Sequence, residues 1–168
     1  MKKSLVTFYL LMLASIGAVS AQDLPSPVLD GFAVPLGLKF TIKLYPADSG
    51  KFNASIIEAE EFVETIELFG DSTLFAEKGN DSTIAFYFCL ATHGEGEKER
   101  NENMQVVLTM KNFTKYHLNY VSEIRREEEG EFEPTSNLGT VAGAVSTEMW
   151  PYMVYWIGLR DFRLMKEE

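Results

Sequence analysis

From residue 83 onward, apolar side chains return at every second position in one segment after another, and this period of two restricts the fold more than any other feature. Successive side chains of a strand point to opposite faces, so such alternation sets one face against a core. Thr83–Thr92 places Ile84, Phe86, Phe88 and Leu90 on one side and Ala85, Tyr87, Cys89 and Ala91 on the other. Both sets are apolar, which predicts a central strand covered on both faces. Met104, Val106, Leu108 and Met110 alternate with Gln105, Thr109 and Lys111. The two strands are expected to form a hairpin around the charged loop His93–Asn103. Past a turn at Asn112–Thr114, Tyr116, Leu118, Tyr120 and Ile124 share a face. The last strand is expected over Tyr152–Met165. Met153, Tyr155, Ile157 and Leu159 share its face, while Phe162 and Leu164 are out of step by one residue. A bulge near Gly158–Asp161 would restore the phase.

Upstream the pattern is mixed. Residues 22–37, with Pro25, Pro27, Pro35, Gly31 and Gly37, read as an extended lead-in. Phe40, Ile42 and Leu44 alternate with Thr41, Lys43 and Tyr45 in a half-buried strand, ended by Pro46 and Asp48–Gly50. Within residues 53–70, Ile56, Ala59, Val63 and Ile66 fall on a helical stripe, with Phe62 and Phe69 beside it. Ser55 and Glu58 have capping-box spacing and Gly70 stands at a C-cap position. A helix near residues 55–69 is therefore preferred, with Thr65–Phe69 alone as the alternative strand. Thr73–Ala76 reads as a short strand. Residues 137–147 are small and glycine-rich, the composition of a strand at a close approach. Seven or eight strands separated by turns predict a mainly β domain over residues 38–168. The expected form is an antiparallel β-sandwich, jelly-roll or immunoglobulin-like, rather than an α/β fold.

Residues 1–21 carry an export pattern. Lys2 and Lys3 precede the uncharged stretch Leu5–Val19, and Val19-Ser20-Ala21 offers small residues for cleavage after Ala21. The apolar run is shorter than the roughly 20 residues of a spanning helix, and no later segment is longer. The expected form is thus a secreted or periplasmic domain without a transmembrane segment. With Lys2 and Lys3 removed, the formal charge falls from −10 to −12. So acidic a chain repels phosphate backbones and anionic membranes, which argues against nucleic-acid partners. Cys89 is the single cysteine, so no internal disulfide can form, and its place in an apolar strand suits a buried small side chain. Asn53, Asn80 and Asn112 open N-glycosylation triplets, which matter only in a eukaryotic secretory pathway.

No GxSxG, P-loop, GxGxxG or HExxH motif occurs. His93 and His117 lack metal-ligand spacing, and His117 falls on the outward face of its strand. Glu127, Glu128, Glu129, Glu131 and Glu133 form a dense acidic run without the Asp/Asn/Gly spacing of a calcium loop, and read as a solvated loop. Neither catalytic residues, nor a metal site, nor a cofactor is expected. Trp150, Tyr152, Tyr155 and Trp156 cluster at the start of the last strand. Such rings either pack between sheets or, at a strand end, stack on a sugar. Trp150, Tyr152 and Trp156 are the candidate ligand-binding residues. The ending Trp156-Ile-Gly-Leu-Arg-Asp-Phe-Arg-Leu164 resembles, over nine residues, the final strand of jelly-roll carbohydrate-binding modules. That resemblance implies a non-catalytic sandwich and carries over no binding residue.

The functional expectation is an exported, non-catalytic module that binds a glycan or a protein partner. The alternative is a small β-barrel carrier of an apolar ligand, suggested by the two-sided strand 83–92 and by Met104 and Met110. A filled core on both faces of strand 83–92 would favour the module, and a cavity on one face the carrier.

Overall fold

The structure, a computed structural model, describes residues 24–69 and 74–166. The expected export segment 1–21 lies outside the described residues. The chain is mainly β, as expected, and its strands form one sheet. They are β1 (Gly31–Pro35), β2 (Leu38–Pro46), β3 (Lys51–Glu61), β4 (Ile66–Glu67), β5 (Thr83–Thr92), β6 (Gln105–Asn112), β7 (Leu118–Arg125), β8 (Glu133–Thr135), β9 (Val145–Trp150) and β10 (Trp156–Leu164). One short helix, α1 (Glu97–Glu102), lies in the loop expected over His93–Asn103. Among the described residues no helix is long and apolar enough to cross a membrane.

The strand order is β8-β7-β10-β3-β2-β5-β6-β9, with β1 beside β10 and β4 beside β5. All pairs are antiparallel except the short β4–β5 contact. This path cannot be flat. Strands β6 and β7 stand five places apart, about 24 Å at the usual strand spacing. Only residues 113–117 join them, a link that reaches about 20 Å when fully stretched. The sheet therefore curls until its two ends face each other, and its halves oppose one another as the layers of a sandwich do.

The interior of the curl is filled. Phe40, Ile42, Leu44, Ile84, Phe86, Phe88, Val106, Leu108, Met110, Leu118, Ile124, Ile157, Leu159 and Phe162 are all buried in one cluster. Phe40 and Phe86 pair across β2 and β5 and stack with ring centroids 4.8 Å apart. A second cluster forms on the outer face of β5 and β6, where Tyr87, Cys89, Ala91 and Val107 lie under Phe62, Ile66, Leu68, Leu74 and Phe75. The Tyr87 hydroxyl donates to the Leu74 carbonyl at 2.9 Å. Both faces of β5 are thus packed, as its two-sided composition predicts. Cys89 is buried, and burial pushes its thiol up to about 12.

The helix expected near residues 55–69 is not present: residues 51–61 form β3, the hairpin partner of β2. Phe52, Ala54 and Ile56 face the core, and then the register shifts between the pairs Ile42–Ile56 and Thr41–Glu58. Ile57 is the extra residue of a β-bulge, so the next core-facing side chain is Ala59. The bulge makes two neighbours on a strand face stand three apart in sequence, which imitates a helical stripe. Ser55 caps nothing; its hydroxyl donates to the Ser26 carbonyl at 2.6 Å. Val63 and Phe69, placed on or beside the expected stripe, are exposed.

The lead-in is extended, and its second half is β1. It pairs with the first half of β10, while β3 pairs with the second half of the same strand. Leu74 and Phe75 pack on the second cluster, and residues 74–76, the described part of the strand expected over Thr73–Ala76, are not in a strand. The last strand begins at Trp156 rather than Tyr152, and before it Val154 is buried while Met153 is exposed. The expected bulge is present: the register of β10 on β7 shifts between Arg160 and Arg163. Asp161 adopts φ 54° there, and Phe162 turns into the core.

Candidate functional site

The free edges of the curled sheet, β8 and β9, meet at a seam that side chains bridge without a continuous ladder. On β9 the residues opposite Val106, Leu108 and Met110 are Trp150, Glu148 and Ser146, so these three point inward. Trp150 is buried, and its indole N–H donates to the Thr135 hydroxyl at 3.1 Å. Glu148 reaches across to β7, where its Oε1 accepts the Tyr120 hydroxyl. Its Oε2 is buried and has no hydrogen-bond partner.

Residues 135–141 run between the two edges. The Asn137 amide donates to the Tyr120 carbonyl at 3.1 Å and to the Ser122 hydroxyl at 2.9 Å. Its carbonyl oxygen accepts the Gly139 N–H at 2.9 Å. Gly139 has φ +72°, and a Cβ there would strike the Leu118 carbonyl and the Met165 side chain. The glycine-rich composition thus marks a real close approach, although the strand itself starts only at Val145. Thr140 then bridges to Leu118.

Between this segment and β9 opens a cleft of about 600 Å³, lined by residues 135–139, Val141 and 146–152. That is room for a small organic ligand. Its wall includes Thr135, Ser136, Ser146 and Thr147. Its rim carries Leu138, 94 % exposed, with Val141, Met149 and Tyr152 also open to solvent. Glu148 is the one acidic residue of the lining, which holds no Lys, Arg or His. Burial pushes its carboxyl up to about 7, against the opposing effect of the Tyr120 hydrogen bond and the nearby Ser122 hydroxyl. The Tyr120 phenol is itself driven well above its ordinary range, first by burial and then by the neighbouring carboxylate.

The candidate aromatic residues do not form one platform. Trp150 and Tyr152 line the same cleft, Trp150 from within the core and Tyr152 at the rim. Trp156 lies outside it, half-buried, with the Arg125 guanidinium 5.0 Å from its ring. Arg126 stacks over Tyr152 at 4.2 Å. A second depression, lined by Arg126, Glu127, Glu131, Glu133 and Met153 among others, shares Tyr152 as a wall. Sequence reasoning passed over Glu148 and Tyr120 as site residues. The signal was parity: Glu148 stands two residues before Trp150, and so on the same inward face.

The other polar candidates stand apart. His93 is half-buried beside Phe69, their ring centroids 5.4 Å apart. His117 is exposed, and its Nδ1 accepts the Ala142 N–H at 3.2 Å. Among the described residues no group of three or more His, Cys, Asp or Glu side chains is placed to hold a metal ion. Asn112 is buried: its amide donates to the Tyr116 carbonyl at 2.9 Å and its oxygen accepts from Thr114. An oligosaccharide cannot be added there without opening the turn. Compared with known families, characterised proteins and solved structures, the chain matches none.

Proposed function

We propose that the chain is an exported, non-catalytic β-rich binding module whose ligand seat is the cleft at the sheet seam. The observation that carries this reading is an open, amphipathic cleft with one buried, half-satisfied carboxyl, Glu148, in a barrel otherwise packed with side chains. The filled interior supports a surface module over a calyx that carries an apolar ligand. A single carboxylate in the lining supports binding over glycoside hydrolysis, which needs a pair flanking the bond. For a glycan, Tyr152 is the exposed ring of the cleft, with Arg126 over one face, since Trp150 is committed to the core and Trp156 lies outside the cleft.

The test is a two-dimensional NMR titration of the chain from residue 22 with a small set of saccharides, amines and alcohols. Resonances of residues 135–141 and 146–152 are expected to shift with at least one class. Shifts confined to the Phe40, Phe86 and Leu108 interior, with a lipid retained in native mass spectrometry, would establish the carrier instead. N-terminal sequencing of material from the culture medium or periplasm should begin at Gln22; an uncleaved Met1 would remove export from the proposal.

A further inference from the structure

The Glu148 carboxylate lies at the inner wall of a cleft whose outer rim is aliphatic, and one of its two oxygens is buried without a partner. A buried carboxylate oxygen is relieved by a proton or by a cation. The chain brings no cation of its own, since Lys, Arg and His are absent from the lining. Arg126, in the depression that adjoins at Tyr152, is stacked on that ring and lies 3.8 Å from Glu133. The adjoining depression adds Glu127, Glu131 and Glu133, and the whole chain carries a formal charge of −10. Such a field gathers cations at the cleft mouth. Resting on the reading of the cleft as a ligand seat, we infer that it takes a ligand ending in an alkylammonium group. The cationic head pairs with the Glu148 carboxylate, whose buried Oε2 turns toward the cleft to meet it, and the aliphatic stem lies along Leu138 and Val141.

Neutral donors can also bond Oε2, but they leave the charge of a buried carboxylate uncompensated. Proton and ammonium compete for the same oxygen, so binding weakens on acidification. Among the groups facing Glu148, β7 contributes the Tyr120 phenol and the Ser122 hydroxyl, and neither β6 nor residues 135–141 contributes a charged side chain. The competing explanation is that an inward-pointing acid on an edge strand only guards the edge against pairing with another copy. That role predicts self-association of a Glu148→Gln variant and no binding of amines.

The test is calorimetric titration of the chain from residue 22 with n-hexylammonium and with n-hexanol, which share a stem and differ in charge. Hexylammonium should bind at about pH 8 and roughly tenfold more weakly at about pH 6, following ionisation of the carboxyl. Glu148→Gln should bind both probes alike. Equal binding of hexanol and hexylammonium by the wild type, or hexylammonium retained by Glu148→Gln, overturns the inference and leaves the seat intact. If neither probe binds, and no compound class shifts the cleft resonances, the seat reading itself falls. A capped peptide with one central lysine, against its Nε-acetylated twin, separates the sources. A peptide preferred over hexylammonium assigns the cation to a partner chain, and the reverse order assigns it to a small amine; both outcomes support the inference.

Discussion

Glu148 shows how one side chain couples pH to stability. Burial raises its carboxyl in the folded chain from the ordinary 4.5 to about 7. Between those values the folded state holds a proton that the unfolded state has released. The contribution to stability is therefore full below the unfolded pKa and is lost as pH rises through about 7. Each tenfold change in acidity is worth about 1.4 kcal/mol, so the loss is roughly 3 kcal/mol. Glu148→Gln keeps the acceptor for Tyr120 and has no proton to lose. Urea melts across this range should show the variant gaining on the wild type as pH rises from about 4.5 to 7, and then levelling. A constant difference across the range would show that the carboxyl is solvated.

At the scale of single elements, the two bulges decide which residues are inside. In β10 the extra residue stands at Asp161, whose left-handed φ of 54° is one that L side chains adopt reluctantly. Asp161 lies 3.0 Å from Lys51 and 3.6 Å from Arg163. Asp161 makes these pairs from a half-buried position, and any substitution there that removes the carboxylate loses both alike. Comparing Asp161→Ala with Asp161→Gly therefore isolates the backbone. Alanine should be the less stable by about 1 kcal/mol in urea denaturation, and equal stabilities would mean that the bulge relaxes. This bulge was legible because Ile157 and Leu159 precede it and Phe162 follows out of phase. The β3 bulge was not. Ile56 and Ala59 three apart, with Ile57 and Glu58 between them, fit a helix as well as a broken strand, and only pairing with Thr41 and Ile42 on β2 separates the two.

The whole molecule is a sheet closed by a seam, and its stability should be uneven for that reason. Strands β2, β3 and β5 are paired on both sides and packed on the core, whereas β8 and β9 end the path. Native-state hydrogen exchange should show the slowest amides in β2, β3 and β5, and the fastest strand amides in β8 and β9. Equal protection of the outer edge of β9 would mean that the seam is laddered in solution and the cleft closed. A seam that opens at lower cost than the core is also where the proposed ligand would enter without disturbing the rest of the sheet.

The class of fold, the central position of β5, the burial of Cys89 and the bulge in β10 were all determined by the sequence itself. Each follows from side-chain parity along one strand, which is a local property. The cleft is different. Glu148, Tyr120 and Asn137 come from β9, β7 and the segment that threads between the two edges, and nothing in their spacing relates them. They meet because a five-residue link between β6 and β7 forces the sheet to curl. Which residues face one another across the seam is set by the closure of the whole sheet, and so only the tertiary structure could decide it.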